Sequence, residues 1–280
     1  MVGGTEQNAL LVVIRTPKSA STSLAKIVAK AFPRGRQFFL PNTLDLDGQL
    51  SSLQRLRHAR HALHVNYRHH RLLRTKDVFA SIDRTASPGD IVTGGHIDLE
   101  TCRQNLTRKF KAIALVRDPI DRSLSEYAYA RAGFIRKSAL EKYDAGRTAQ
   151  IAGRFSYEGY LDFLLEHRAL YGDIACRYLG LAGIENVAAH FAEHIFHFGT
   201  VDNLVAFAHT LGRKTGQDIA VEHLNRTSAT VRQIPTRAEQ SKLKQLYAGD
   251  FALHEWCRKH EPAVATQSVR PPTPRVAVPA

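Results

Sequence analysis

Leu10-Leu11-Val12-Val13-Ile14-Arg15-Thr16-Pro17-Lys18-Ser19-Ala20-Ser21-Thr22-Ser23-Leu24 decides the fold. Its first five residues form an unbroken, β-branched apolar run, the pattern of a strand buried on both faces. A short polar loop follows. Residues 23–32 then read as a helix, because Leu24, Ile27, Val28 and Ala31 recur at helical spacing. Pro33 and Gly35 end it. Strand, tight loop and helix in this order open an α/β nucleotide-binding unit.

The same alternation continues outward. Residues 62–67 read as a second strand. Ile91-Val92-Thr93 is a short third strand that ends at Gly94-Gly95-His96. Residues 111–116 form another strand. Asp118-Pro119 after it starts a helix, with Asp118 as cap and Pro119 at the first helical position; this helix is expected to run to about Arg131. Residues 134–155 are polar and basic and read as a loop. Residues 157–168, 173–180, 201–211 and 235–260 read as helical. The expected architecture is α/β, a P-loop-like three-layer sandwich whose central, mainly parallel sheet is flanked by helices. One domain is expected over residues 1–260. Five prolines after Glu261 point to a disordered tail over 261–280.

Composition narrows the partners. The chain has 280 residues, 44% hydrophobic, enough for one substantial core, and a formal charge of +13 that favours anionic ligands. Cys102, Cys176 and Cys257 are far apart and odd in number, which fits reduced thiols. No apolar run approaches the roughly 20 residues of a membrane span. The acidic, rapidly apolar start does not match a signal peptide. These features point to a cytoplasmic location.

The loop at 15–23 has the chemistry of an anion site. The first amides of a helix lack backbone partners, and the helix dipole favours negative charge there. Small residues over 19–23 let a phosphate approach the backbone, the four hydroxyls of Ser19, Ser21, Thr22 and Ser23 offer donors, and Lys18 adds a cation. A Walker loop requires glycines and a lysine just before the helix. Residues 15–23 contain no glycine, and their lysine comes early. An ordinary ATPase or kinase is therefore disfavoured. A Ser/Thr-rich cap would explain the hydroxyls, but not the Pro-Lys pair ahead of them.

Two further segments belong with this loop. Arg117 falls at the C-terminal end of its strand, where α/β ligands bind, and Ser125 lies about two turns into the following helix. A guanidinium and a hydroxyl there can grip a phosphate monoester. An Arg–Asp pair closing the turn is the plainer alternative. His96, after two glycines, stands out among the 14 histidines as a candidate base. His58, His61, His64, His69 and His70 invite a metal reading, but the surrounding arginines oppose a cation.

These residues resemble a known family. Thr16-Pro17-Lys18-Ser19-Ala20-Ser21-Thr22-Ser23 is similar to the 5′-phosphosulfate loop, "PKTASTS", of carbohydrate sulfotransferases that use 3′-phosphoadenosine-5′-phosphosulfate (PAPS). The likeness is greatest to hexuronic-acid 2-O-sulfotransferases acting on heparan and dermatan sulfate. Arg117-Asp118-Pro119-Ile120-Asp121-Arg122-Ser123-Leu124-Ser125-Glu126-Tyr127 resembles that family's 3′-phosphate segment, "RDPIERLVSYY". Gly94-Gly95-His96 matches the position of its catalytic histidine in "HGHVSFLDF", with Gly94 replacing the first histidine. Phe198–Leu204 is similar to "VGVTEEL", and Asn225-Arg226-Thr227 to a loop over the nucleotide. Asp250-Phe251-Ala252-Leu253-His254-Glu255 matches the terminal helix. The likeness spans about residues 9–260. Residues 34–60 and 134–155 have no counterpart, and acceptor choice is expected there.

The resemblance implies sulfuryl transfer from PAPS to a hydroxyl of a carbohydrate or similar anionic acceptor, leaving 3′-phosphoadenosine-5′-phosphate (PAP), with no metal. It implies His96, Lys18 and Arg15 as catalytic residues. Pro17, Lys18, Ser19, Ala20, Ser21, Thr22, Ser23, Arg117, Ser125 and Arg226 are implied as nucleotide contacts. The alternatives are a P-loop small-molecule kinase and a non-catalytic basic module for glycan or nucleic acid. The second lacks a recognised nucleic-acid motif, so no nucleic-acid partner is expected.

Overall fold

The computed structural model of the chain describes residues 9–40, 75–143, 145–220 and 234–261. The strand expected over 62–67, the histidine-rich segment, Arg226 and the tail after 261 lie outside them.

Five strands carry the fold: β1 (Leu10–Ile14), β2 (Gln37–Leu40), β3 (Ile91–Gly94), β4 (Phe110–Val116) and β5 (Ile195–Thr200). They lie in the order β2-β3-β1-β4-β5, and every pair is parallel. β1 is central, with Val12 opposite Val92 on one side and Ala112 on the other. The helices in the first half are α1 (Ser21–Ala31), α2 (Thr75–Thr85), α3 (Leu99–Asn105) and α4 (Pro119–Ile135). Next come α5 (Ala139–Tyr143), α6 (Arg147–Arg154), α7 (Tyr157–Glu166), α8 (Arg168–Tyr171), α9 (Ile174–Tyr178) and α10 (Val187–His194). The last three are α11 (Leu204–Thr215), α12 (Arg237–Leu246) and α13 (Ala248–His260).

The pleat of β1 splits the core. Leu10, Val12 and Ile14 face one side, packing with Phe79 and Ile82 of α2, Leu99 and Cys102 of α3, and Leu253 and Cys257 of α13. Leu11 and Val13 face the other, against Leu24, Ile27 and Val28 of α1 and Phe207 and Leu211 of α11. Successive side chains of a strand point to opposite faces, so a fully apolar β1 requires helices on both. That is the three-layer sandwich expected from sequence. A third apolar cluster joins Tyr127 to Tyr157, Tyr160, Leu161, Leu243 and Tyr247. It packs α4, α7 and α12 together beside the sheet.

Two expectations need correction. Residues 134–155 are not a loop: α4 continues to Ile135, and α5 and α6 follow. The cause is close helix packing through small residues. Ala152 is fully buried. A β-carbon on Gly153 would stand only 2.0 Å from the Phe134 ring. Arg131 of α4 donates to the carbonyls of Ala152 and Phe155, each at 3.0 Å. The polar residues face outward, which gave the segment its loop-like composition. The other correction is β2, absent from the sequence reading. It is short and only Leu40 of it is buried. An edge strand with a wet face lacks the continuous apolar run that marked β1. Asp90 pins it, accepting from the Arg36 amide at 2.8 Å and the Ser87 amide at 2.7 Å.

Candidate active site

The chain leaves β1 toward β2 and β3 on one side and passes to β4 and β5 on the other. That reversal puts a switch point at the carboxyl ends of β1 and β4, where such sheets usually form a ligand crevice. The loops after β3, β1 and β4 all emerge there, and they carry His96, residues 15–20 and Arg117.

The loop after β1 is sharply folded. Lys18 and Ala20 both have left-handed backbones, φ +62° and +51°. The Ser19 amide donates back to the Thr16 carbonyl at 3.3 Å. Ala20 is the N-cap of α1, and no side chain caps the first turn. The amides beginning at Ser21 therefore remain available to an anion. Thr16 and Ser19 are buried. Their hydroxyl oxygens and Arg15 Nε have no hydrogen-bond partner among the described residues. Buried polar atoms are normally paired. Three unpaired within five residues suit a group bearing several acceptor oxygens. Pro17 and Lys18 are half-buried, Ser21 and Ser23 open α1, and Thr22 is exposed.

Two hydrogen bonds tie the neighbouring loops to this one. His96 Nδ1 lies 2.9 Å from the Arg15 carbonyl oxygen. A carbonyl only accepts, so Nδ1 carries the proton and the Nε2 of a neutral ring keeps its lone pair. The imidazole itself is exposed. Arg117 Nη1 donates to the Lys18 carbonyl at 2.9 Å. Arg15 Nη2 donates to Ser21 Oγ at 3.1 Å, closing the loop onto α1.

Electrostatics follow from this crowding. Burial lowers the pKa of Lys18, the Arg117 charge lowers it further, and Glu126 opposes both. Burial also lowers that of Arg15. Lys18 Nζ lies 4.0 Å from the centre of the Tyr129 ring on α4.

The structure thus brings Arg15, Lys18, Ser19, Ser21, His96 and Arg117 into one place. Ser125 is half-buried on α4, one turn before Tyr129. Asp118 caps α4, accepting from the Ile120 and Asp121 amides at 2.9 and 3.0 Å, with Pro119 in the first turn. Arg226 is outside the described residues. The sequence reading missed Arg122, which is 1% exposed and among the largest fully buried side chains of the described residues. It donates to Glu126 at 3.1 Å and approaches Asp250 at 3.8 Å. Its spacing of four from Glu126 was the available signal. Tyr129 had none.

A second cleft, of about 520 Å³, opens nearby and is lined by Asp118, Asp121, Asp202, His254, Arg258 and Glu261 among others. Among the described residues, no helix is long and apolar enough to cross a membrane. No cluster of three or more His, Cys, Asp or Glu there could hold a metal ion.

No curated protein matches the chain. Among solved structures, mouse sulfotransferase SULT7A1 complexed with PAP is similar at 15% identity and a TM-score of 0.39. The match covers 86% of this chain and 63% of that one, too slight a likeness to bear on function. The model of the sulfotransferase family matches residues 5–178, more than half of the 280. It includes all three loops that meet at the crevice, and the chain belongs to the sulfotransferase family.

Proposed function

We propose that this chain transfers the sulfuryl group of PAPS to a hydroxyl of a carbohydrate or similar acceptor. The observation that carries the reading is the knitting of three loops. The Arg15 carbonyl meets His96, and the Lys18 carbonyl meets Arg117. A base, a cation beside the anion loop and a second anion grip then face one crevice.

In this reading the amides and hydroxyls of residues 17–23 hold the 5′-phosphosulfate. Arg117 and Ser125 hold the 3′-phosphate, joined by Arg226. The acceptor oxygen forms a bond to sulfur as the bond from sulfur to the 5′-phosphate oxygen breaks. The acceptor proton passes to His96 Nε2, and PAP departs. Lys18 stabilises the negative charge growing on the bridging oxygen. Arg15 orients the acceptor beside the sulfuryl group. The excess of cations over the whole chain favours an anionic acceptor. The motif likeness to hexuronic-acid 2-O-sulfotransferases supports a uronic acid as the first acceptor to try.

The test is labelled PAPS with a panel of desulfated glycans and small hydroxyl acceptors. We expect transfer to at least one. His96→Ala should reduce turnover about 10²- to 10⁴-fold, and Lys18→Ala should abolish it, with both variants folded. Full activity in either variant would remove the mechanism. Thermal stabilisation by ATP–Mg²⁺ but not by PAP would point to a kinase instead.

A further inference from the structure

Tyr129 is a large aromatic residue that folding leaves 67% exposed. Its ring is nevertheless engaged, with the Lys18 ammonium 4.0 Å from its centre. The contact is built from both sides. On the loop, Lys18 adopts a left-handed backbone, φ +62°, which residues with a β-carbon disfavour. Its carbonyl is held by Arg117 at 2.9 Å. This fixes where the lysine side chain leaves the loop. On α4, Arg122, Glu126 and Tyr129 follow at spacings of four and three, so they share one side of the helix. Arg122 is buried and holds the Glu126 carboxylate at 3.1 Å. The lysine therefore meets a ring face and the field of an anchored carboxylate.

We propose that Tyr129 is a positioning residue, a dock on α4 that holds the Lys18 ammonium in place before the nucleotide arrives. The inference rests on the reading of Lys18 as a ligand of the 5′-phosphosulfate. A lysine has a long, freely rotating stem, and fixing it costs side-chain entropy. A ring that orders the ammonium in the free protein removes part of that cost from nucleotide binding. The negative ring face also attracts the charged form. It works with Glu126 against burial and Arg117, which favour the neutral amine.

A double-mutant cycle read by calorimetric binding of PAP tests this, with Tyr129→Leu and Tyr129→Phe made in the presence of Lys18 and of Lys18→Ala. An exposed cation–π contact corresponds to an affinity change of about two- to fivefold. We expect Tyr129→Leu to weaken PAP by about that factor when Lys18 is present. Tyr129→Phe should bind like the parent. In the Lys18→Ala background, Tyr129→Leu should have no effect. Parental affinity in Tyr129→Leu overturns the proposal. So does an equal loss in both backgrounds, since the ring would then touch the nucleotide directly. So does a loss in Tyr129→Phe equal to that in Tyr129→Leu. If Lys18→Ala binds PAP as tightly as the parent, or the parent binds none, the reading of Lys18 itself fails and the dock falls with it. Tyr129 is exposed, so unchanged melting temperatures are expected for all of its variants.

Discussion

His96 reaches its place because Gly94 and Gly95 precede it. Both have left-handed backbones, φ +88° and +59°. A β-carbon on Gly94 would lie 2.5 Å from the Leu40 carbonyl oxygen, so β2 could not approach β3 there. Gly94→Ala should therefore weaken the fold and shift His96 from the Arg15 carbonyl. We expect a lower melting temperature and, with His96 as the proposed base, turnover reduced by roughly tenfold or more, because small misplacements of a reacting group are costly. Thermal melting and steady-state sulfation would show it; parental values for both would contradict it. The glycine pair was legible in the sequence as a turn. The conformation of Lys18 was not, because nothing local favours φ +62° in lysine. The surrounding loop and the Arg117 bond hold it there.

At the scale of elements, one buried cluster fixes α4 against the C-terminal helices. Asp250 on α13 is 1% exposed. It accepts from the Ala175 and Cys176 amides at 3.1 and 2.9 Å, and so caps α9. Arg122 reaches it at 3.8 Å and stacks 4.5 Å from the centre of the Tyr247 ring. Burial raises the Asp250 pKa, and Arg122 and the two amides oppose this. Its two oxygens accept from separate amides, the pattern of a carboxylate. Removing Asp250 leaves the Ala175 and Cys176 amides unpaired in the interior, while Arg122 keeps Glu126. Asp250→Ala should cost about 2–4 kcal/mol in unfolding free energy. Urea unfolding followed by the fluorescence of Trp256, the single tryptophan, would measure it. A loss below about 1 kcal/mol would show that the cluster tolerates separation. The cluster also links distant segments of the chain, which is why the sequence did not disclose it. Arg122 and Asp250 are each unremarkable in their own helices. The helices over 139–154 were hidden for a related reason. Their contacts use Ala152 and Gly153, residues too small to leave a hydrophobic signal.

For the whole molecule, His197 couples stability to pH. It is buried in β5, with Nε2 2.9 Å from the Phe207 carbonyl of α11. Burial pushes its pKa down to about 4, and nearby Lys214 adds to the shift. The unfolded chain takes up this proton below about pH 6.5, whereas the folded one resists until about pH 4. Its contribution is thus complete above about pH 6.5 and is lost as pH falls toward 4, by roughly 3 kcal/mol in all. His197→Gln keeps an amide donor for Phe207 and cannot titrate. Its unfolding free energy should fall less over that interval than the parent's. Parallel pH profiles for the two proteins would refute the assignment. The sheet order determines where the chemistry sits. β1 lies between β3 and β4, so their loops meet although His96 and Arg117 are 81 and 102 residues from Arg15.

By itself, the sequence determined the strand-loop-helix at 10–31 and the capped start of α4, and raised the expectation that residues 15–23 hold an anion. These depend on local forces: β-branched burial, helical periodicity, capping and unpaired amides. It also marked His96 and Arg117 as residues at strand ends. Only the tertiary structure decided that these ends are neighbours, because strand order depends on which faces the helices bury together. It alone set the proton on His96 Nδ1, through a carbonyl 81 residues away. It alone placed Lys18 over Tyr129, through a helix that packs beside the loop after β1 only once the sheet has formed.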